Sequence, residues 1–184
     1  MSHLPHLPGP PASADDLLRA IEPLPHPRRR HHLALIGGEL AGRPELAGVL
    51  ASLAERGQYE RFVALALAEA AGDAAFVTGA LRDPDPEVAL RAVTAADRLR
   101  LPDEVFESLL EDAPIVVRAA VYRTVRRGGR RTFAERLIDT VRRRWGDLEA
   151  ARLLPDCGPD LAAALVDTLA PAVSNWRALG RRHP

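Results

Sequence analysis

One cysteine, Cys157, is the chain's whole complement, so no internal disulfide can form, and a reducing, cytoplasmic setting is expected. Aromatic residues make up only 4% of the sequence and β-branched runs are scarce, which argues against strands. No stretch of about 18 residues is both apolar and free of charge, which excludes a membrane-spanning helix. The proline-rich first residues carry neither the basic segment nor the apolar run of a secretory signal, and residues 1–12 read as a flexible lead-in. Lysine is missing altogether. All 25 basic residues are arginine, for which a GC-rich coding sequence is explanation enough. Signatures of enzymes are missing too: there is no GxGxxG or P-loop, no HExxH and no GxSxG. A protein without catalysis and without a cofactor is therefore expected.

What the chain does have is 47% apolar residues, mostly Ala, Leu and Val, which pack helices closely. Its 184 residues suffice for one continuous core, and residues 13–184 read as a single all-α domain. Ser13 and Asp16 resemble a capping box opening a helix that carries Leu17, Leu18 and Ile21. Segment 28–40 follows, with Leu33, Ile36 and Leu40 on one side and Gly37-Gly38 weakening its end. Pro44 opens the next helix, whose stripe is Leu46, Val49, Leu50 and Leu53, with Gly57 as its expected stop. Tyr59, Phe62, Val63, Ala66 and Ala70 mark another, ending near Gly72. Asp73 is placed to cap a short helix bearing Phe76 and Val77. Asp83-Pro84-Asp85-Pro86 breaks it. Helices over 87–99, from Pro102, and over 115–127 come next. Phe133, Leu137, Val141 and Trp145 then recur every four residues. Leu161, Leu165 and Leu169 predict a late helix, and 174–182 predicts one more. Short helices joined by tight turns favour a stacked array over a bundle, whose helices are usually longer.

Two segments align without gaps: Asp85-Pro-Glu-Val-Ala-Leu-Arg91-Ala and Asp112-Ala-Pro-Ile-Val-Val-Arg118-Ala. In each, an Asp precedes a helix that it can cap, and an Arg six residues on can reach the Asp of a neighbouring unit. The phrase LRDPDPEVALRAV resembles the HEAT-repeat signature. That resemblance implies a right-handed α-α superhelix of about five helix pairs, an armadillo-like solenoid, in which Asp85, Arg91, Asp112 and Arg118 form a structural ladder.

Net charge is zero, yet residues 1–117 carry −7 and residues 118–184 carry +7. Residues 118–144 hold ten Arg against two acids, Glu135 and Asp139, so a positive surface is expected there. Arg118, Tyr122 and Arg126 fall at i, i+4 and i+8, predicting an exposed strip of two guanidinium groups around one aromatic. Arg127, Arg130 and Arg131 continue the charge around the Gly128-Gly129 turn. Ion pairs of Asp139 with Arg143 and of Arg131 with Glu135 are expected, Trp145 reads as core, and Cys157 reads as a structural thiol. His31 and His32, adjacent on a helix, point about 100° apart, so no metal site is expected.

These features predict a non-catalytic scaffold with a protein partner, the oligomeric state left open. The absence of a polar capping repeat at the C-terminal end predicts the N-terminal part of a larger protein. The alternative is nucleic-acid binding through the arginine-rich concave surface of residues 118–144. Some bacterial DNA glycosylases are similar in using a HEAT-like solenoid, but here Trp145 falls on the apolar stripe and Trp176 has no evident acidic partner.

Overall fold

The computed structural model describes Pro11 and residues 13–180, with side chains placed as far as Ser174. The rest of the lead-in 1–12, the Trp176 side chain and the far end of the helix expected over 174–182 lie outside the described residues. Eleven α-helices and one 3-10 turn, with no strand, make up the described residues. None of the helices is long and apolar enough to cross a membrane. They fall into two units, Met1–Leu101 and Pro102–Pro184.

The first unit holds α1 (Ala14–Ile21), α2 (His26–Leu40), α3 (Pro44–Ala54), α4 (Gln58–Ala71), α5 (Ala74–Ala80) and α6 (Pro86–Arg98). Ser13 caps α1, accepting from the Asp16 amide at 3.2 Å while its hydroxyl donates to the Asp16 carboxylate at 2.8 Å. The predicted stripe of α3 is buried throughout, Leu53 completely. Gly57 does not stop α3, which ends at Glu55; it precedes α4 instead. The α4 stripe is rotated from the expected one. Val63, Ala64, Leu65, Leu67 and Ala68 are buried, whereas Tyr59 is 44% exposed. Asp73 and Asp85 cap α5 and α6 through the amides of Phe76 and Glu87, each at 2.9 Å.

Helix α2 packs along α4, and α4 along α6, while α3 and α5 pack on their successors and α1 on α2 and α3. Gly37 makes the first of these contacts close: a Cβ there would lie 2.6 Å from the Ala70 Cβ and 2.8 Å from the Leu67 carbonyl oxygen. The glycine that looks like a helix weakener in the sequence is thus a helix–helix contact point.

The second unit holds α7 (Asp103–Leu109), α8 (Ile115–Gly128), α9 (Arg131–Trp145), α10 (Asp147–Ala150), a 3-10 turn (Leu154–Asp156) and α11 (Pro159–Gly180). Phe106 and Phe133 meet with ring centroids 6.4 Å apart, joining α7 to α9 above the buried Leu109, Leu110, Leu137 and Val141. Pro114, without a side-chain cap, stands at the N-terminus of α8, so Asp112 does not cap it as the alignment predicts. The helices expected around Leu161 and after Ser174 are one, α11, which runs through Pro171.

A shared device ends α2, α4, α6 and α8, whereas α10 ends without it and Gly146, with φ +84°, follows the odd helix α9. Left-handed backbone occurs at Gly42, Gly72, Arg100 and Gly129, just after α2, α4, α6 and α8, at intervals of 30, 28 and 29 residues. After α4, α6 and α8 the pattern is the same paired closure. The amide two positions beyond the cap returns to a carbonyl five residues back: Asp73 to Ala68 at 2.9 Å, Leu101 to Ala96 at 3.0 Å, and Arg130 to Val125 at 3.2 Å.

Candidate interaction groove

Three of the even helices line a groove of about 480 Å³ in the first unit. From α2 come His26, Arg29 and Arg30; from α4 come Tyr59, Phe62 and Glu69; from α6 come Arg91 and Arg98. Leu33, Val63 and Ala66 supply apolar surface between them. Arg29 is held by the chain itself: it donates to the carbonyls of Glu22 and Leu24, each at 2.6 Å, and to the Tyr59 hydroxyl at 3.2 Å. None of those acceptors carries a formal charge, so the guanidinium charge is not neutralised there. Arg91 rests over the Phe62 ring, 4.1 Å from its centroid, and does not pair with an Asp as the ladder predicts. Arg98 pairs with Glu69 at 2.9 Å.

Asp85 does take part in an interhelix tie, but with an unforeseen partner. Arg61 of α4 reaches Asp83 at 3.3 Å and Asp85 at 3.5 Å, and Gln58 donates to Asp85 at 2.7 Å. Sequence spacing alone does not reveal Arg61, because it lies beside the apolar Phe62 and Val63.

In the second unit the strip predicted from Arg118, Tyr122 and Arg126 is exposed only at Arg126. Arg118 is 6% and Tyr122 4% accessible. The Arg118 Nε donates to Glu149 at 3.1 Å and its Nη1 to the Ala113 carbonyl at 2.8 Å, and its guanidinium lies 3.7 Å from the Trp145 ring centroid. Tyr122 donates to the same Glu149 oxygen at 3.3 Å. Burial, reinforced by the Glu149 carboxylate, pushes the Tyr122 phenol far above its ordinary range. Trp145, predicted as core, is half-buried and donates to the Leu110 carbonyl at 2.7 Å. This is a packed polar cluster. The alternation of apolar residues along α8 conceals it, because Glu149 is the residue that draws Arg118 inward and it lies 31 positions away.

Five of the ten arginines in residues 118–144, Arg118 included, meet acids from outside that segment. Arg126 forms a two-pronged pair with Asp156, at 3.0 and 3.2 Å, and that bond raises its pKa. Arg130 meets Asp103 at 3.0 Å, Arg136 reaches Asp103 and Glu104, and Arg142 meets Asp147 at 2.7 Å. Glu135 accepts from the Gly158 amide at 2.8 Å, and no ion pair of Arg131 with Glu135, or of Asp139 with Arg143, forms among the described residues. Arg123, Arg127, Arg131 and Arg143 remain exposed.

Cys157 is buried, its Sγ donating to the Leu153 carbonyl at 3.3 Å. Burial, with the nearby Glu135 and Asp156 carboxylates, pushes its thiol up to about 11. Among the described residues no group of three or more His, Cys, Asp or Glu is placed to hold a metal ion. No protein-family model matches the chain, and neither does any curated protein or solved structure.

Proposed function

We propose that the chain is a non-catalytic interaction scaffold of HEAT type, a right-handed superhelix of helix pairs that offers the even-numbered helices to a protein partner. The observation that carries this reading is the left-handed closure after α2, α4, α6 and α8 at intervals of 30, 28 and 29 residues, a series that stops at α8. A near-constant interval means that one local solution for reversing the chain is used again and again, as stacked repeats require. The packing of α2 on α4 and of α4 on α6 is consistent with it. In such an array each repeat touches only its neighbours, and a binding surface arises along one row of helices.

Excising residues 43–72, one interval from the position after Gly42 through Gly72, tests the architecture. A repeat array stays helical and unfolds cooperatively with a smaller denaturant slope, whereas loss of the cooperative transition overturns the reading. Partner binding is tested by cross-linking the full chain in its native cell and identifying adducts by mass spectrometry. Absence of any reproducible protein adduct counts against a scaffold.

A second reading, nucleic-acid binding, draws on the exposed Arg123, Arg127, Arg131 and Arg143. Its test is salt-sensitive retention of labelled duplex or single strand that is lost on Arg127→Glu with Arg131→Glu.

A further inference from the structure

We infer that the groove between α2, α4 and α6 binds an acidic peptide segment, taking its carboxylates on Arg30 and Arg91 and its apolar side chains against Leu33, Val63 and Ala66. This deepens the scaffold reading and rests on it. Arg30 is exposed on the groove wall and, among the described residues, has no hydrogen bond or ion pair. Arg91 lies over the face of Phe62 and, among the described residues, makes no hydrogen bond or ion pair, so its donors are available. A guanidinium held in this way is prepared for two-pronged contact with a carboxylate, since less freedom is lost when the bond forms. Arg29 adds a third positive charge that no carboxylate offsets, whereas Arg98 is already paired with Glu69. A volume of about 480 Å³ with more apolar than polar lining suits a few side chains of a peptide.

The same surroundings disfavour a nucleic acid. Single-strand sites stack successive bases on several open aromatic faces, and here Arg91 covers a face of Phe62, although Tyr59 on the same wall is 44% exposed. Residues 1–101 carry 11 Arg against 13 acids, so the unit as a whole repels a long polyanion even though the groove is locally positive. A short segment with a few carboxylates meets the local charge without the wider repulsion.

The probe is a random peptide library displayed on phage, selected on the full-length protein at low salt, with oligothymidylate as a parallel ligand. The expected pool is rich in Asp and Glu interleaved with apolar residues. Its strongest member, made synthetically, should bind at least about tenfold more weakly to Arg30→Glu and to Arg91→Glu. Arg30→Glu is informative whatever happens to folding at Arg91, because Arg30 has no hydrogen bond or ion pair to lose among the described residues; circular dichroism checks both variants. A pool that is not acidic, equal binding by Arg30→Glu, or oligothymidylate binding more tightly than the peptide overturns the inference. Peptides that bind wild type and variants alike would refute this groove while leaving a scaffold intact. A chain that captures neither peptides nor cellular partners fails on both counts.

Discussion

The guanidinium of Arg118 lies 3.7 Å from the centroid of the Trp145 ring while its Nε donates to Glu149 at 3.1 Å, so one buried cation is held by a ring and a carboxylate together. Both charged side chains are 8% exposed, so solvent does little to screen the pair. Removing Glu149 leaves Arg118 buried without a carboxylate, whereas removing Arg118 leaves Glu149 its contact with Arg152 at 3.5 Å. Glu149→Ala is expected to cost about 3 kcal/mol, read from the denaturation midpoint. Replacing both, as in Arg118→Met with Glu149→Leu, should cost less than Glu149→Ala alone. A double variant as unstable as the sum of the singles would show that the two residues do not act as a pair.

Tyr122 makes stability depend on alkaline pH. Its phenol is raised in the folded state, so between the unfolded pKa of about 10 and the folded value the native protein holds a proton that the unfolded chain has lost. Stability is therefore complete below that window and falls as pH rises through it, by up to about 1.4 kcal/mol per pH unit. Tyr122→Phe should flatten this fall. An unchanged slope in the variant would assign the alkaline loss to another group.

Cys157 should alkylate slowly. With the thiol raised to about 11, little thiolate exists near pH 8, and the sulfur is buried against the Leu153 carbonyl. Iodoacetamide should label it far faster in denaturant than in the native protein. Equal rates would mean that the 3-10 turn opens readily.

Arg100 occupies the left-handed closing position after α6 with φ +55°, where Gly42, Gly72 and Gly129 stand after α2, α4 and α8. A side chain there crowds its own backbone, by about 1 kcal/mol. Arg100→Gly should raise the thermal midpoint. A fall would show that the Arg100 side chain contributes more than the strain removes.

Gly37→Ala sets two effects against each other. Helix propensity gains about 1 kcal/mol, while forcing a methyl against the Leu67 carbonyl oxygen at 2.8 Å costs about 1–3 kcal/mol because backbone gives little. The net expectation is a loss of about 1 kcal/mol in urea unfolding, and a stabilised variant would contradict the close approach.

Much of the helical order is legible in the sequence. Ser13, Asp73 and Asp85 each announce a helix start that the structure uses, because capping acts within two or three residues. The period was harder to read. Three of the four left-handed positions that close α2, α4, α6 and α8 are glycine, but Arg100 breaks the series, so the 27-residue Asp–Arg alignment stands out in its place. Side-chain partners were least legible. Whether Arg118 faces water depends on Glu149, and whether Arg126 adds to a positive surface depends on Asp156, each about thirty positions distant. Helical periodicity ranks residues by angle around their own axis and is silent about acids arriving from elsewhere. For the same reason the groove of α2, α4 and α6 passed unnoticed: its arginines are scattered through a half of the chain whose total charge is negative.

The contact at Gly37 acts as a fulcrum for everything along α2. It lies toward the end of the helix farther from Arg29 and Arg30, and because it brings backbone against backbone it has no flexible side chain to absorb adjustment. The aperture between the α2 and α4 walls is consequently held by backbone at that end, so a peptide entering the proposed groove would meet a spacing fixed in advance.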